Sequence, residues 1–130
     1  MMRLKSVPLR IQLDGESEVS IESNLIVVAN GRYAGGGMML APNAELDDGL
    51  LDVLLTDRLT RLDIIMELRR IGRGGHLKNP KVSETRAGEV SICSADPVPI
   101  DIDGEMSGYT PARLTILPSV IRFAAASHAT

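Results

Sequence analysis

Apolar and polar residues alternate along most of this chain. In "LRIQLDGESEVSI" the side chains of Leu9, Ile11 and Leu13 fall on one side of an extended backbone. Asp14-Gly15 then supplies a two-residue turn, and Val19 and Ile21 resume the alternation, so a half-buried hairpin is predicted. "NLIVVAN" runs apolar from Leu25 to Ala29 without a polar break, the mark of a strand covered on both faces. "MMLAP" and "LLDVLLT" predict two more strands, separated by the loop "NAELDDG". Near the C-terminus "EVSIC", "VPIDID", "ARLTILP" and "SVIRFA" predict four others, with Gly and Pro between them. So many short strands with these turn signals predict a mainly β protein, a sandwich or a barrel, and the expected form is a two-layer β-sandwich.

One segment departs from period two. In "TRLDIIMELRRIG", Ile64, Ile65, Leu68 and Ile71 share a helical face, Thr60 and Asp63 form a capping pair, and Gly72 is placed to end the helix. The expectation is one short amphipathic helix of about three turns, packed on the β domain. The loop after it, "GRGGHLKNPK", is glycine-rich and basic. With no internal repeat, low-complexity tract or linker, residues 1–130 read as a single domain, and "AAASHAT" reads as a frayed tail.

Composition narrows the functions. A chain of 130 residues is long enough to bury roughly two thirds of its unfolded surface around one core. That core is aliphatic, because there is no Trp, one Phe and two Tyr, and a stacking platform for nucleic-acid bases is not expected. Net charge is -3, from 14 basic and 17 acidic residues, so no global field attracts a polyanion and nucleic acid is not an expected partner. The single cysteine, Cys93, reads as a small buried residue without a disulfide partner, which fits a cytoplasmic protein. No run approaches the ~18 apolar residues of a membrane span, and "MMRLKSVPLRIQLDGE" lacks a signal peptide's apolar stretch. Work at a membrane would be done from the surface.

Three stretches hold candidate chemistry. "DIDGE", Asp101 to Glu105, reads as a type I′ turn at Asp103-Gly104 between the strands "PVPIDI" and "ARLTIL". The same residues also read as a site: Asp101 and Asp103 alternate onto one face, and Gly104 bends the backbone so that Glu105 shares that space. Crowded carboxylates resist ionising together, which suits one of them to general-base work or calls for a divalent cation. The spacing is not that of an EF-hand, whose twelfth position would fall on Ala112. "NGRYAGGGMMLAP" is neither a P-loop nor a dinucleotide loop, since Met38 and Met39 follow the glycines and Leu40 holds the sixth place. Its glycine triplet reads as a bulge or crossover against which something passes tightly. "AELDDGLLDV" is a turn signal at Asp47 and Asp48, or an oxygen-rich loop for Mg²⁺ built on Asp48 and backbone carbonyls. The basic residues Arg69, Arg70, Arg73, His76, Lys78 and Lys81 form a solvated surface, or a contact for anionic lipid headgroups. Neither histidine has an evident second ligand, so zinc is not expected.

Taken together and in order, "VANGRYAGGGMMLAPNAELDDGLLDVLL", a short helix, "GGH", "PIDIDGE" and a closing pair of strands resemble the C-terminal domain of the bacterial diacylglycerol and lipid kinases related to sphingosine and ceramide kinases. The resemblance runs from about Val19 to Phe123. It implies a β-sandwich that carries the DGE, joined in cis to an N-terminal α/β domain with a Gly-Gly-Asp-Gly-Thr motif for ATP. It implies that Glu105 is the base that deprotonates the lipid hydroxyl, with Asp103 beside it. It further implies a structural or regulatory Mg²⁺ on Asp48 and the main-chain carbonyls of Glu45 and Leu50. The ATP motif is absent from these 130 residues, so ATP would be held by the N-terminal nucleotide-binding domain and this piece alone would not be a kinase. The expected partner is a lipid substrate at the inner face of the membrane, and a homodimer is compatible with this plan. The alternatives from other classes are a non-catalytic β-sandwich that binds metal or ligand, and the C-terminal half of an NAD kinase.

Overall fold

A computed structural model describes residues 5–122, so the closing "AAASHAT" lies outside the described residues. The first hairpin forms as its alternation predicts. Strand β1 (Val7–Leu13) pairs antiparallel with β2 (Val19–Ser23), and Leu9 faces Ile21 across the pair. Asp14 and Gly15 between them both have positive φ, at 48° and 72°. The chain then crosses to a second sheet at a polar junction, where Ser23 Oγ lies 3.1 Å from Thr56 Oγ1 and Thr56 Oγ1 donates to the Leu25 carbonyl at 2.8 Å.

In that second sheet β3 (Ile26–Ala29), β6 (Leu51–Thr56) and β7 (Val82–Ala87) lie side by side in the order β3-β6-β7. The first sheet is completed by β8 (Glu89–Ser94) and β11 (Ala112–Thr115), in the order β11-β8-β1-β2. Ile11 and Val90 of one sheet and Leu51, Val53 and Ala87 of the other form the buried layer between them, so the domain is a two-layer β-sandwich. The opposite face of the second sheet is also covered: Leu54, Val27 and Ala29 pack against Ala41, Ala44 and Leu77. That double cover explains the unbroken apolar run of "NLIVVAN".

Two short ribbons stand outside the sandwich. One pairs β4 (Tyr33–Ala34) with β5 (Met38–Met39), and the other pairs β9 (Pro99–Ile102) with β10 (Glu105–Tyr109). The partner of "VPIDID" is therefore "EMSGY", and "ARLTIL" leaves to become an edge of the first sheet. Of "SVIRFA", residues 119–122 form no strand, and the rest lies outside the described residues. Strand β7 has little apolar content and is specified by its pairing with β6 in place of a pattern of its own. Cys93 is half-buried rather than buried.

The glycine triplet has a different cause from the close approach that its cost in entropy suggested. Gly35, Gly36 and Gly37 make the turn of the first ribbon with φ of 52°, 80° and 111°; a Cβ added to Gly35 would come within 2.6 Å of the Met38 Cε, while one added to Gly36 or Gly37 would meet nothing within 4 Å. Backbone sign, more than space, calls for glycine here.

Helix α1 (Arg61–Arg70) begins with the predicted capping box: Thr60 accepts from the Asp63 N–H while the Asp63 carboxylate accepts from the Thr60 N–H. The Lys81 ammonium at 2.7 Å and the Thr60 donors hold the Asp63 carboxyl down at about 2. Past its end the chain continues in a 3-10 turn, Ile71–Arg73, so Gly74 in the left-handed region, and not Gly72, terminates the helical path. The orientation of α1 is also unlike the expectation. Ile64 and Ile71 are half-buried, but Ile65 and Leu68 are 53% and 60% exposed, and the residue that α1 buries is Glu67.

Candidate functional site at the DGE ribbon and the Arg86 cluster

At the tip of the second ribbon Asp103 and Gly104 have φ of 52° and 88°, as the two central residues of a type I′ turn require. Asp101 Oδ1 accepts the Gly104 N–H at 2.8 Å, so its carboxylate is part of the turn. Glu105 opens β10 opposite Ile102, and Met106 faces Asp101. Cross-strand partners share a face. Glu105 therefore lies on the face opposite to Asp101, and the three carboxylates are not gathered in the shared space that simple alternation suggested. A register shift between Met106 and Gly108 increases the twist of the ribbon beyond the tip. Glu105 and Asp103 are both exposed, and neither makes an ion pair among the described residues.

The second candidate lies at the far end of β6. Asp52 and Arg86 are cross-strand partners on β6 and β7. Asp52 is fully buried, and Arg86 Nε donates to its Oδ1 at 3.0 Å. Arg86 Nη2 also donates to the Asn43 carbonyl, and its Nη1 lies 3.9 Å from Asp48 Oδ2. The hydrogen bond and charge of Asp52, then the charges of Asp48 and Glu45, push the Arg86 guanidinium above its ordinary value. One guanidinium thus ties the loop of residues 43–48 to the sheet. The loop is clamped elsewhere by Arg32 Nε, which donates to the Ala44 carbonyl at 2.9 Å, and by Asn43 Nδ2, which donates to Glu84 at 2.6 Å. Arg32, Asn43, Glu45, Glu84 and Arg86 line an open cleft of about 440 Å³. Next to this loop His76, 4% exposed, places Nε2 2.7 Å from the Leu40 carbonyl, so one member of the basic loop is an interior residue.

Asp48 sits within this frame. Its Oδ1 accepts the Leu50 N–H at 2.9 Å, while its buried Oδ2 has no hydrogen-bond partner. A carboxylate oxygen so placed suits a cation ligand. Among the described residues no three His, Cys, Asp or Glu side chains converge as a metal site. Asp52 and Arg86 are the residues that sequence reading passed over. The signal was present in "LLDVLL", where an aspartate inside an apolar run requires a cation.

Comparison with known proteins gives this geometry a family. Residues 1–125 match the model of the YegS C-terminal NAD kinase beta sandwich-like domain. The chain belongs to that family. Among relatives of this YegS-type domain is a diacylglycerol kinase of Mycobacterium tuberculosis (strain ATCC 25618 / H37Rv), 30% identical over 94% of this chain. A diacylglycerol kinase of Staphylococcus carnosus (strain TM300) is 34% identical over 85% of the chain. A solved structure of a diacylglycerol kinase from Bacillus anthracis str. Sterne superposes with a TM-score of 0.73 at 26% identity, over 90% of this chain. The chain spans 39%, 36% and 40% of the length of these three proteins. The resemblance carried by the glycine triplet, the Asp-Gly turn and the DGE is thereby borne out, and so is the β-sandwich. No helix among the described residues of the YegS-type domain is long and apolar enough to cross a membrane.

Proposed function

We propose that this chain is the C-terminal part of an ATP-dependent lipid kinase and carries its catalytic carboxylate. The observation that carries the reading is the family match across residues 1–125, within which the DGE falls on an exposed, preformed turn. In this reading Glu105 accepts the proton of a lipid hydroxyl as that oxygen attacks the γ-phosphorus of ATP. The bond from the γ-phosphorus to the bridging oxygen breaks, and ADP leaves. Asp103 stands beside it in the turn as the second acidic residue of the site. The nucleotide is held by an N-terminal domain in cis, which accounts for a domain match that covers 39% of a kinase relative. Incubated with labelled ATP and micelles of diacylglycerol, the 130 residues alone are expected to give no labelled lipid, and the same domain joined to a nucleotide-binding half is expected to give it. Label transferred to NAD in place of lipid would move the assignment to a nicotinamide-nucleotide kinase, and no transfer from the joined form would leave a binding module.

Asp48, with the carbonyls of Glu45 and Leu50, would hold a Mg²⁺ ion, which would supply positive charge to fix the loop. Asp48 Oδ2, buried and without a hydrogen bond although the Arg86 guanidinium lies 3.9 Å away, supports this reading. At ~100 times its dissociation constant a ligand stabilises the folded state by about 2.7 kcal/mol. A Mg²⁺-dependent rise in melting temperature is therefore expected for the parent and is expected to vanish in Asp48→Ala. Equal rises in both proteins would remove Asp48 from the site.

A further inference from the structure

Helix α1 turns most of its apolar side chains away from the domain. Its inward arc holds the half-buried Ile64 together with polar tethers: Asp63 pairs with Lys81 at 2.7 Å, and Glu67, 7% exposed, accepts from Asn79 Nδ2 at 2.9 Å. These tethers turn the other apolar side chains outward. Leu62 is 73% exposed and Met66 45%, beside the exposed Ile65 and Leu68. Spacings of three and four residues join them into one stripe on the helix surface.

Guanidinium groups border that stripe. Arg61 and Arg69 lie on the same exposed arc, and Arg73 follows in the 3-10 turn. None of the three makes an ion pair among the described residues. This local positive charge is set against a chain whose net charge is -3. A partner for the surface must be apolar at its centre and anionic around it. A two-fold contact with a second copy would bring the same arginines together and repel. A bilayer containing anionic lipid meets both demands, with acyl chains for the stripe and headgroup phosphates for the arginines.

We propose that the outward face of α1 is an interfacial docking surface for an anionic bilayer. The helix would lie in the plane of the interface, with Leu62, Ile65, Met66 and Leu68 at the acyl boundary and Arg61, Arg69 and Arg73 among the phosphates. This adds to the lipid-kinase reading the route by which the domain meets its substrate. It rests on α1 alone, and its test reads binding without phosphorylation, so either reading can fail while the other stands.

The test is sedimentation of the 130-residue chain with vesicles of phosphatidylcholine, with or without phosphatidylglycerol. Binding is expected only with the anionic lipid, and it should weaken as salt rises. The Arg69→Gln/Arg73→Gln variant is expected to bind about tenfold or more weakly, given the attraction of each basic residue near a charged surface. Leu62→Ser/Ile65→Ser is expected to lose at least a comparable factor through lost apolar burial. All four side chains are exposed, so circular dichroism and melting should match the parent. Absence of binding, equal binding to neutral vesicles, or unchanged binding by both variants overturns the proposal. Concentration-dependent self-association that Leu62→Ser/Ile65→Ser abolishes, without vesicle binding, assigns the face to a second copy and also overturns it.

Discussion

If Glu105 is the proposed base, replacing it by Gln, in a polypeptide that joins this domain to a nucleotide-binding half, is expected to lower the turnover of lipid phosphorylation by about 10² to 10⁴, the usual worth of a positioned general base. Stability should hardly change. Glu105 is exposed and makes no ion pair among the described residues, and a surface substitution of this kind is commonly within about 0.5 kcal/mol of neutral. The control is Asp103→Asn. Asn-Gly suits a type I′ turn as well as Asp-Gly does, so the ribbon survives and any loss of rate belongs to the charge. Near-parental turnover in Glu105→Gln, measured at saturating ATP and lipid, would leave "DIDGE" a hairpin turn and nothing more.

The largest expected loss of stability is at Arg86. In Arg86→Met the Asp52 carboxylate, fully buried, is left without its cation, and an unpaired buried charge of that kind typically costs about 3 to 5 kcal/mol. Such a loss is a large share of the stability of an ordinary domain, about 5 to 15 kcal/mol. The loop of residues 43–48 should loosen with it, because the same guanidinium meets the Asn43 carbonyl and approaches Asp48. Urea unfolding of the parent, Arg86→Met, Asp52→Asn and the double variant checks this directly. The double variant should lose less than the sum of the singles, since removing the charge removes the need for its partner. Arg86→Lys should rescue only in part, because an ammonium has no planar fork to reach the Asp52 carboxylate and the Asn43 carbonyl at once. Strictly additive losses would show that the two side chains are not coupled.

Much of the molecule was legible from local pattern, because local pattern has a local cause. Period two in "LRIQLDGESEVSI" fixes which side of each strand is apolar, and Asp14-Gly15 and Asp103-Gly104 occupy the left-handed backbone that their turns demand. Thr60 and Asp63 sit three residues apart, the distance over which a capping box closes. The DGE, the glycine triplet and the Asp-Gly turn were recognisable as a set before any fold was known. What the sequence could not disclose are the places where a residue's meaning depends on something far along the chain. Strand β7 exists because β6 needs a partner on that edge, and its own residues carry no alternation that says so. Asp52 is tolerable inside "LLDVLL" because Arg86, 34 residues later, stands opposite it.

The helix shows the division most sharply. Its start came from its own residues, since a capping box closes within a few positions. Its orientation did not. By hydrophobicity alone Ile65 and Leu68 belong inward, yet Lys81 and Asn79 hold Asp63 and Glu67 against the body of the domain and turn those two residues out. By itself the sequence determined the first hairpin, the Asp-Gly turns, the start of the helix and the short motifs they carry. Tertiary structure alone decided which face of the helix meets solvent and which carboxylates meet a cation, because both depend on partners that only folding brings within a few ångströms.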